Sequence, residues 1–161
     1  MNWDQITDII LYASFAVLAA FLIIGIYQLF TRKSFKKIDK ALRWMLLPLA
    51  LMVLTYLLFD KVLPPITTRP NGSGEPSFPS THVMVVATIL FLAMMELPRY
   101  VKSKVARIIL EIVMVVLLSL TCTGRIISEM HSLIDVIGGL IFAFIFTEIY
   151  YQIVHPRKKK K

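Results

Sequence analysis

Two short stretches of the sequence carry side chains that together could transfer a phosphoryl group. The first runs from Pro79 to His82, with the letters PSTH, and offers hydroxyl groups and an imidazole. The second offers the guanidinium of Arg125, the imidazole of His131 and the carboxylate of Asp135. Phosphoryl transfer depends on positioning and on charge stabilisation, so these groups suit it without a metal.

His131 and Asp135 stand four residues apart, which places them on one face if this segment is helical. A carboxylate that is hydrogen-bonded to one ring nitrogen fixes the tautomer and leaves the other nitrogen free as a nucleophile. A polar pair that merely stabilises a helix start is the structural alternative.

Ser80 is a good N-cap residue for the apolar segment that follows it. If it caps a helix there, the free backbone N–H groups and the positive end of the helix dipole point towards the preceding loop, and such an arrangement binds phosphate. A serine cap with an incidental His82 is the alternative. Two such stretches on one side of the protein favour the chemical interpretation.

The composition is that of an integral membrane protein. The 161 residues are 57% hydrophobic with a formal net charge of +8, and the mean hydropathy is +0.72. That is too apolar for an ordinary soluble domain, and basic loops between apolar segments argue against a nucleic-acid binder. Cys122 is the single cysteine, so an intramolecular disulfide is impossible.

Five apolar segments predict an all-α, polytopic membrane bundle of about five transmembrane helices, in one domain over residues 1–161. A bilayer core needs roughly 20 apolar residues, so the third and fourth segments span it only if flanking residues extend their helices. Three carboxylates within these segments, Glu96, Glu111 and Glu148, are expected to snorkel beside basic loops. The segments are Ile9–Phe30, Ala41–Phe59, Val83–Leu97, Ile108–Cys122 and Val136–Val154.

The basic residues predict the orientation in the membrane. Fifteen of the 18 fall in residues 31–43, 99–107 and 157–161, which an odd number of spans places on one side. The positive-inside rule makes that side cytoplasmic. The N-terminus and the two stretches are then outside, and the C-terminus is cytoplasmic. The other three, Lys61, Arg69 and Arg125, lie near the two stretches, and an anionic ligand is the simplest reason.

These residues resemble the type 2 phosphatidic acid phosphatase family, membrane lipid phosphatases related to the vanadium haloperoxidases. Its pattern is a Lys followed by Arg-Pro, then Pro-Ser-Gly-His, then Ser-Arg with five residues to a His and three more to an Asp. The third part keeps its spacing here, with Gly124 in place of the serine. In the second part Thr81 replaces glycine.

The first part departs further from the family pattern. Seven residues separate Lys61 from Arg69-Pro70, where the family usually has six. Family members commonly have six spans, and this chain resembles a member without the first.

The resemblance implies a role for each residue. His131 would be the nucleophile that forms a phosphohistidine, and Asp135 would orient and polarise it. His82 would protonate the leaving oxygen and then activate the hydrolytic water. The phosphate oxygens would be held by Lys61, Arg69, Ser80, Thr81 and Arg125. With fixed cations in this role, and with no cluster of metal-ligating residues in the sequence, no metal or other cofactor is expected.

The implied substrate is a small lipid phosphate or diphosphate in a membrane, of the undecaprenyl diphosphate, phosphatidylglycerophosphate or phosphatidic acid type. Membrane lipids are the expected surroundings, and no nucleic-acid partner is expected. One alternative is a phosphotransferase that passes the phosphoryl group to a lipid or sugar acceptor. Another is a non-enzymatic, lipid-binding membrane protein.

The orientation can be checked with a cysteine placed near Asn71 in the loop of residues 60–82. It should react with a membrane-impermeant thiol reagent added to intact cells, because this loop is expected outside. Labelling that appears only after the membrane is permeabilised would reverse the orientation.

Overall fold

The chain is built from helices that run back and forth between the two ends of one bundle. The computed structural model describes residues 2–156. A 3₁₀ turn, Phe35–Lys37, follows α1, and a π-helical turn, Leu58–Val62, follows α3. The α-helices are α1 (Trp3–Arg32), α2 (Lys40–Trp44), α3 (Leu46–Leu57), α4 (Thr81–Tyr100), α5 (Lys104–Ile127) and α6 (Leu133–Val154).

Five helical stretches among the described residues are long and apolar enough to cross a bilayer, which confirms the predicted number of spans. α2, α3 and the π turn together make the second stretch, Lys40–Val62. The third and fourth stretches reach 20 and 24 residues, because flanking residues do extend them. The predicted basic tail, residues 157–161, lies outside the described residues.

The helix extensions place predicted site residues in terminal turns. α4 begins at Thr81, so His82 lies in its first turn. α5 continues past Cys122 to Ile127, so Arg125 lies in its last turn. The starts of α1, α4 and α6 and the end of α5 therefore meet at one end of the bundle, which we call the site end.

α4 is the central helix. It packs against α1, α3, α5 and α6, and most of its length is buried. α1 and α5, in contrast, expose large apolar side chains along their outer faces, such as Ile23 and Ile112. In a bilayer these faces contact lipid tails, which cannot hydrogen-bond to polar groups, so an apolar surface is favoured there.

A pair of glycines lets α6 lie close to α4. A Cβ atom on Gly139 would come within 2.8 Å of the Ser80 carbonyl oxygen and 3.2 Å of the Met84 nitrogen. A Cβ atom on Gly138 would meet the ring of Phe78 at 2.3 Å. Small residues allow this approach between membrane helices, and here they set the start of α6 beside the start of α4.

At the opposite end, Glu96 is buried rather than snorkelling, so the sequence-based expectation was wrong for this residue. Its side chain is only 2% exposed. It accepts a hydrogen bond from the Tyr150 hydroxyl at 2.8 Å and pairs with Arg99 Nε at 3.1 Å. A buried carboxylate needs such partners, and the hydrogen bond from Tyr150 ties the end of α4 to α6.

Replacing Gly139 by alanine should lower the unfolding free energy by about 1–3 kcal/mol, because the added methyl group meets backbone atoms that side-chain motion cannot clear. Gly25→Ala in α1 is the matched control. Its Cβ atom would meet nothing within 4 Å, so the helix should gain about 0.5–1 kcal/mol. Thermal unfolding midpoints in one detergent compare the two. A Gly139→Ala protein as stable as wild type would contradict the tight α4–α6 contact.

Candidate active site

A cleft of about 260 Å³ opens at the site end of the bundle. Five of the eight predicted site residues line it, and they come from two loops and two helices. Tyr56, Phe59 and Phe78 give the cleft an apolar side. The predicted residues that line it are Arg69, Thr81, His82, Arg125 and His131.

The loop before α4 folds back on itself and brings Ser77 to the cleft. The Arg69 N–H donates to the Glu75 carbonyl at 3.0 Å, and the Ser77 N–H donates to the Thr67 carbonyl at 3.0 Å. The tip between these bonds turns at Gly72, whose φ of +79° suits glycine. Because the two arms of the loop are paired, Ser77 is held against the start of α6.

His131 is buried, and one of its ring nitrogens is engaged. Nδ1 lies 3.0 Å from the Ser77 carbonyl oxygen. A carbonyl only accepts, so Nδ1 is assigned the proton and Nε2 keeps its lone pair. Because His131 also lines the cleft, this is the tautomer that a nucleophilic imidazole requires.

Asp135 does not make the direct hydrogen bond to His131 that the spacing predicted. Its Oδ2 atom lies 3.9 Å from Nδ1, which is beyond hydrogen-bonding range. The reason is that α6 begins at Leu133, so His131 precedes the helix and the two residues do not share a helical face. Ser77 connects them instead, with its Oγ 2.6 Å from Asp135 Oδ2 and 3.1 Å from Nδ1.

The carboxylate of Asp135 is fully buried and holds together the parts of the chain that form the site. It accepts hydrogen bonds from the Ser132 N–H at 2.7 Å, from the Ser132 hydroxyl at 2.9 Å and from Thr67 Oγ1. With Ser132 it forms the capping box of α6. It does not line the cleft, and it orients His131 only through Ser77.

The surroundings of His131 favour its neutral form. Burial, assisted by the positive charge of Arg125, lowers the pKa of His131 from 6.5 to about 4. The Asp135 carboxylate opposes this shift but is outweighed. The ring is therefore neutral at ordinary pH, as a nucleophile must be.

His82 and Arg125 both contact α1, through acidic residues that the sequence analysis did not assign to the site. His82 Nε2 lies 2.9 Å from Asp8 Oδ1. Arg125 is buried, and its Nη1 lies 3.2 Å from Asp4 Oδ1. The two acids stand four residues apart just before the first apolar segment, a spacing that the sequence shows. Their partners, however, lie more than 70 positions away along the chain.

The two arginines of the cleft have donors to spare. Arg69 pairs with Glu75 at 2.9 Å through Nη1. The Nε atoms of Arg69 and Arg125 are buried and have no hydrogen-bond partner within residues 2–156, as is also true of Arg43 and Arg107 away from the cleft. Buried donors of this kind are normally satisfied, and the oxygens of an anion in the cleft would satisfy them.

Lys61 is not brought to the cleft. It lies in the π turn, its side chain is 65% exposed, and its Nζ is 2.6 Å from Asp60 Oδ2. Asp60, rather than Lys61, lines the cleft.

Ser80 occupies the N-cap position of α4, but its side chain makes no capping hydrogen bond. Its Oγ is buried and has no partner among the described residues, and its backbone N–H donates to the Asp135 carbonyl at 2.9 Å. The predicted capping bond is therefore absent, although the helix start itself is where the sequence placed it. Thr81, the next residue, lines the cleft.

Ser77 is the residue that sequence reasoning missed at the centre of the site. It is one of several serines in a loop rich in proline and glycine. Nothing in its local sequence separates it from Ser73, which is exposed. Only the folded loop shows that Ser77 joins His131 to Asp135.

The imidazole of His131 should stay largely neutral until the pH approaches its titration midpoint of about 4, because burial and Arg125 disfavour its charged form. Nuclear magnetic resonance of ¹⁵N-histidine-labelled protein in detergent can follow it, with its signals assigned by their loss in His131→Gln. A titration midpoint near 6.5 would show that the ring is solvated and that the cleft has a different form in solution.

Known proteins with a similar sequence or fold include a membrane phosphatase. Residues 59–159 match the family model described as the PAP2 superfamily. The fold is similar to the crystal structure of a transmembrane PAP2-type phosphatidylglycerolphosphate phosphatase from Bacillus subtilis. That protein is 20% identical, with a TM-score of 0.57 over 95% of this chain and 79% of that one. No curated protein matches the sequence. The chain therefore belongs to the PAP2 superfamily, the type 2 phosphatidic acid phosphatase family that its motifs resemble.

Proposed function

We propose that this protein is a membrane phosphatase that releases phosphate from a lipid phosphate through a phosphohistidine on His131. One observation carries the proposal. His131 lines a cleft with its Nδ1 held by Ser77, and the same cleft contains His82 and two arginines with unpartnered buried donors. Membership of the PAP2 superfamily supports phosphatase chemistry.

The first step is attack of His131 Nε2 on phosphorus. The ring gains positive charge as the N–P bond forms. Two groups stabilise that charge. They are the Ser77 carbonyl oxygen, which accepts the hydrogen bond from Nδ1–H, and the buried Asp135 carboxylate 3.9 Å away. A ring fixed in one tautomer and one orientation loses little freedom on reaching the transition state.

The phosphate oxygens are held by fixed positive groups. Arg69 and Arg125 both line the cleft. One guanidinium group can donate two parallel hydrogen bonds to two oxygens of a phosphate. The first turn of α4 adds backbone N–H groups near Thr81, since the Ser80 side chain does not occupy them. Lys61 would join these ligands only by leaving Asp60. Such preorganised charge is a large contributor to phosphoryl transfer.

His82 then acts on the leaving group. As the P–O bond breaks, His82 gives a proton to the departing lipid oxygen, and neutral His82 next takes a proton from the water that attacks the phosphohistidine. The N–P bond breaks, its electron pair returns to His131 Nε2, and inorganic phosphate is released. Both histidines end in their starting protonation states.

The shape of the site supports a lipid substrate with a small headgroup. The cleft is smaller than the roughly 300–1,000 Å³ of most drug-sized sites, at about 260 Å³. An apolar groove adjoins it at Tyr56 and Thr81 and continues between α3 and α4. A lipid chain in the bilayer can lie in this groove while its phosphate enters the cleft.

The proposed function also fixes where the protein acts and how much of the chain takes part. Residues 1–161 form one phosphatase domain in the cell membrane, with the N-terminus and the cleft outside and the C-terminus in the cytoplasm. Substrates of the undecaprenyl diphosphate, phosphatidylglycerophosphate and phosphatidic acid types all carry a terminal phosphate.

The experiment that tests this function is phosphate release by purified protein in detergent, with a metal chelator, across a panel of these three lipid types. We expect release without divalent metal and loss of several orders of magnitude in His131→Ala, because the nucleophile is removed. His155→Gln is the matched control, since this histidine lies just past the end of α6 that is remote from the cleft, and glutamine keeps a hydrogen-bond donor near Glu96, which lies 3.6 Å from His155 Nε2.

Trapping with ³²P-labelled substrate should label His131 in an acid-labile bond. Phosphorylated acceptor in place of free phosphate would show a transferase instead. Full activity of His131→Ala, or no activity on any lipid phosphate, would overturn the proposed function.

A further inference from the structure

α1 contacts two residues of the cleft from outside the part of the chain that matches the family. The match covers residues 59–159, whereas Asp4 and Asp8 lie in the first two turns of α1. Asp8 Oδ1 is 2.9 Å from His82 Nε2, and Asp4 Oδ1 is 3.2 Å from Arg125 Nη1. The two acids stand at i and i+4, so one face of α1 meets both residues.

The position of α1 depends on a glycine in the third motif. A Cβ atom on Gly124 would lie 2.6 Å from Thr7 Cγ2 and 3.2 Å from Trp3 Cε3. The serine that the family usually carries there would therefore collide with α1. Glycine in place of serine at position 124 therefore allows α1 to pack close to the end of α5, beside the cleft.

We propose that Asp8 is a positioning residue that holds His82 as the protonated general acid of this site. The inference rests on the proposed function and adds to it a residue that lies outside the motifs. Asp8 accepts a hydrogen bond from Nε2–H of His82, fixes the ring and stabilises its imidazolium form against burial and the nearby charge of Arg125.

The proton balance follows from this arrangement. With Nε2–H directed to Asp8, Nδ1 is the ring atom that gives its proton to the leaving oxygen as the P–O bond breaks. His82 becomes a neutral ring that still donates Nε2–H to Asp8, and Asp8 remains a carboxylate. Nδ1 then takes a proton from the attacking water, which restores the imidazolium. Nδ1 of His82 has no hydrogen-bond partner among residues 2–156, in contrast to Nε2.

The test uses leaving groups that differ in their need for a proton. An alkyl phosphate releases a poor leaving group that must be protonated, whereas p-nitrophenyl phosphate releases a stable phenolate. Both present the same phosphate, so the ratio of their kcat/KM values isolates the proton transfer from phosphate binding. kcat/KM reports only the steps up to the first irreversible one, so attack of water on the intermediate does not affect it.

Asp8→Asn should lower kcat/KM for the alkyl phosphate by about tenfold or more, as expected for loss of a hydrogen bond to a charged group. It should leave p-nitrophenyl phosphate within about twofold of wild type. Asp8→Glu, which keeps the charge, should restore most of the alkyl activity. Asp4→Asn should instead affect both substrates alike, because its partner Arg125 serves the phosphate. Glu129→Gln removes one charge from an exposed loop residue and is the matched control.

A second measurement separates positioning from a general structural effect. If Asp8 acts through His82, Asp8→Asn should cost nothing further in a His82→Gln background, so the two changes are not additive. Equal losses on both substrates, or additive losses in the double variant, would overturn the role of Asp8 while wild-type activity stands. Wild-type protein that releases no phosphate would instead overturn the proposed function itself.

Discussion

The buried carboxylate of Asp135 is the interaction on which the rest of the site depends. A buried charge that water cannot reach must be hydrogen-bonded by the protein. The donors to Asp135 come from two places: the loop before α4, through Thr67 and Ser77, and the turn before α6, through Ser132. Satisfying this one group therefore fixes the loop against the helix. The orientation of His131 follows, because Ser77 contacts both residues. The carboxylate thus mainly stabilises the packing of the loop against α6, and it affects His131 only indirectly, through Ser77.

A second constraint is charge balance around the cleft. The three predicted cationic contacts of the phosphate, and the predicted acid His82, each have a carboxylate at 2.6–3.2 Å. An incoming phosphate therefore competes with protein acids rather than entering an uncompensated positive site. This lowers the cost of burying cations in a membrane protein, and it also weakens retention of the product phosphate. The pairs are Lys61–Asp60, Arg69–Glu75, His82–Asp8 and Arg125–Asp4.

Much of this arrangement could be predicted from the sequence, because it depends on local patterns. Apolar length gave the five spans, and the motif spacings placed His82 and His131 at one cleft. What could not be predicted depends on tertiary geometry or on where a helix begins. The i, i+4 rule failed for His131 because the helix starts two residues later. The pairing of Lys61 with Asp60 in a π turn and the contact between Asp8 and His82 have no local sequence pattern that identifies them.

The buried cluster around Glu96 has a consequence for the depth of the site in the bilayer. α4 carries His82 in its first turn and Glu96 in its last turns, and polar contacts fasten both ends. The helix therefore has little freedom to slide along the membrane normal. A bilayer of different thickness must stretch or thin around such a protein, at a modest cost for each ångström of mismatch. The height at which a phosphate is cleaved is then set by the protein, and the lipids adjust to it.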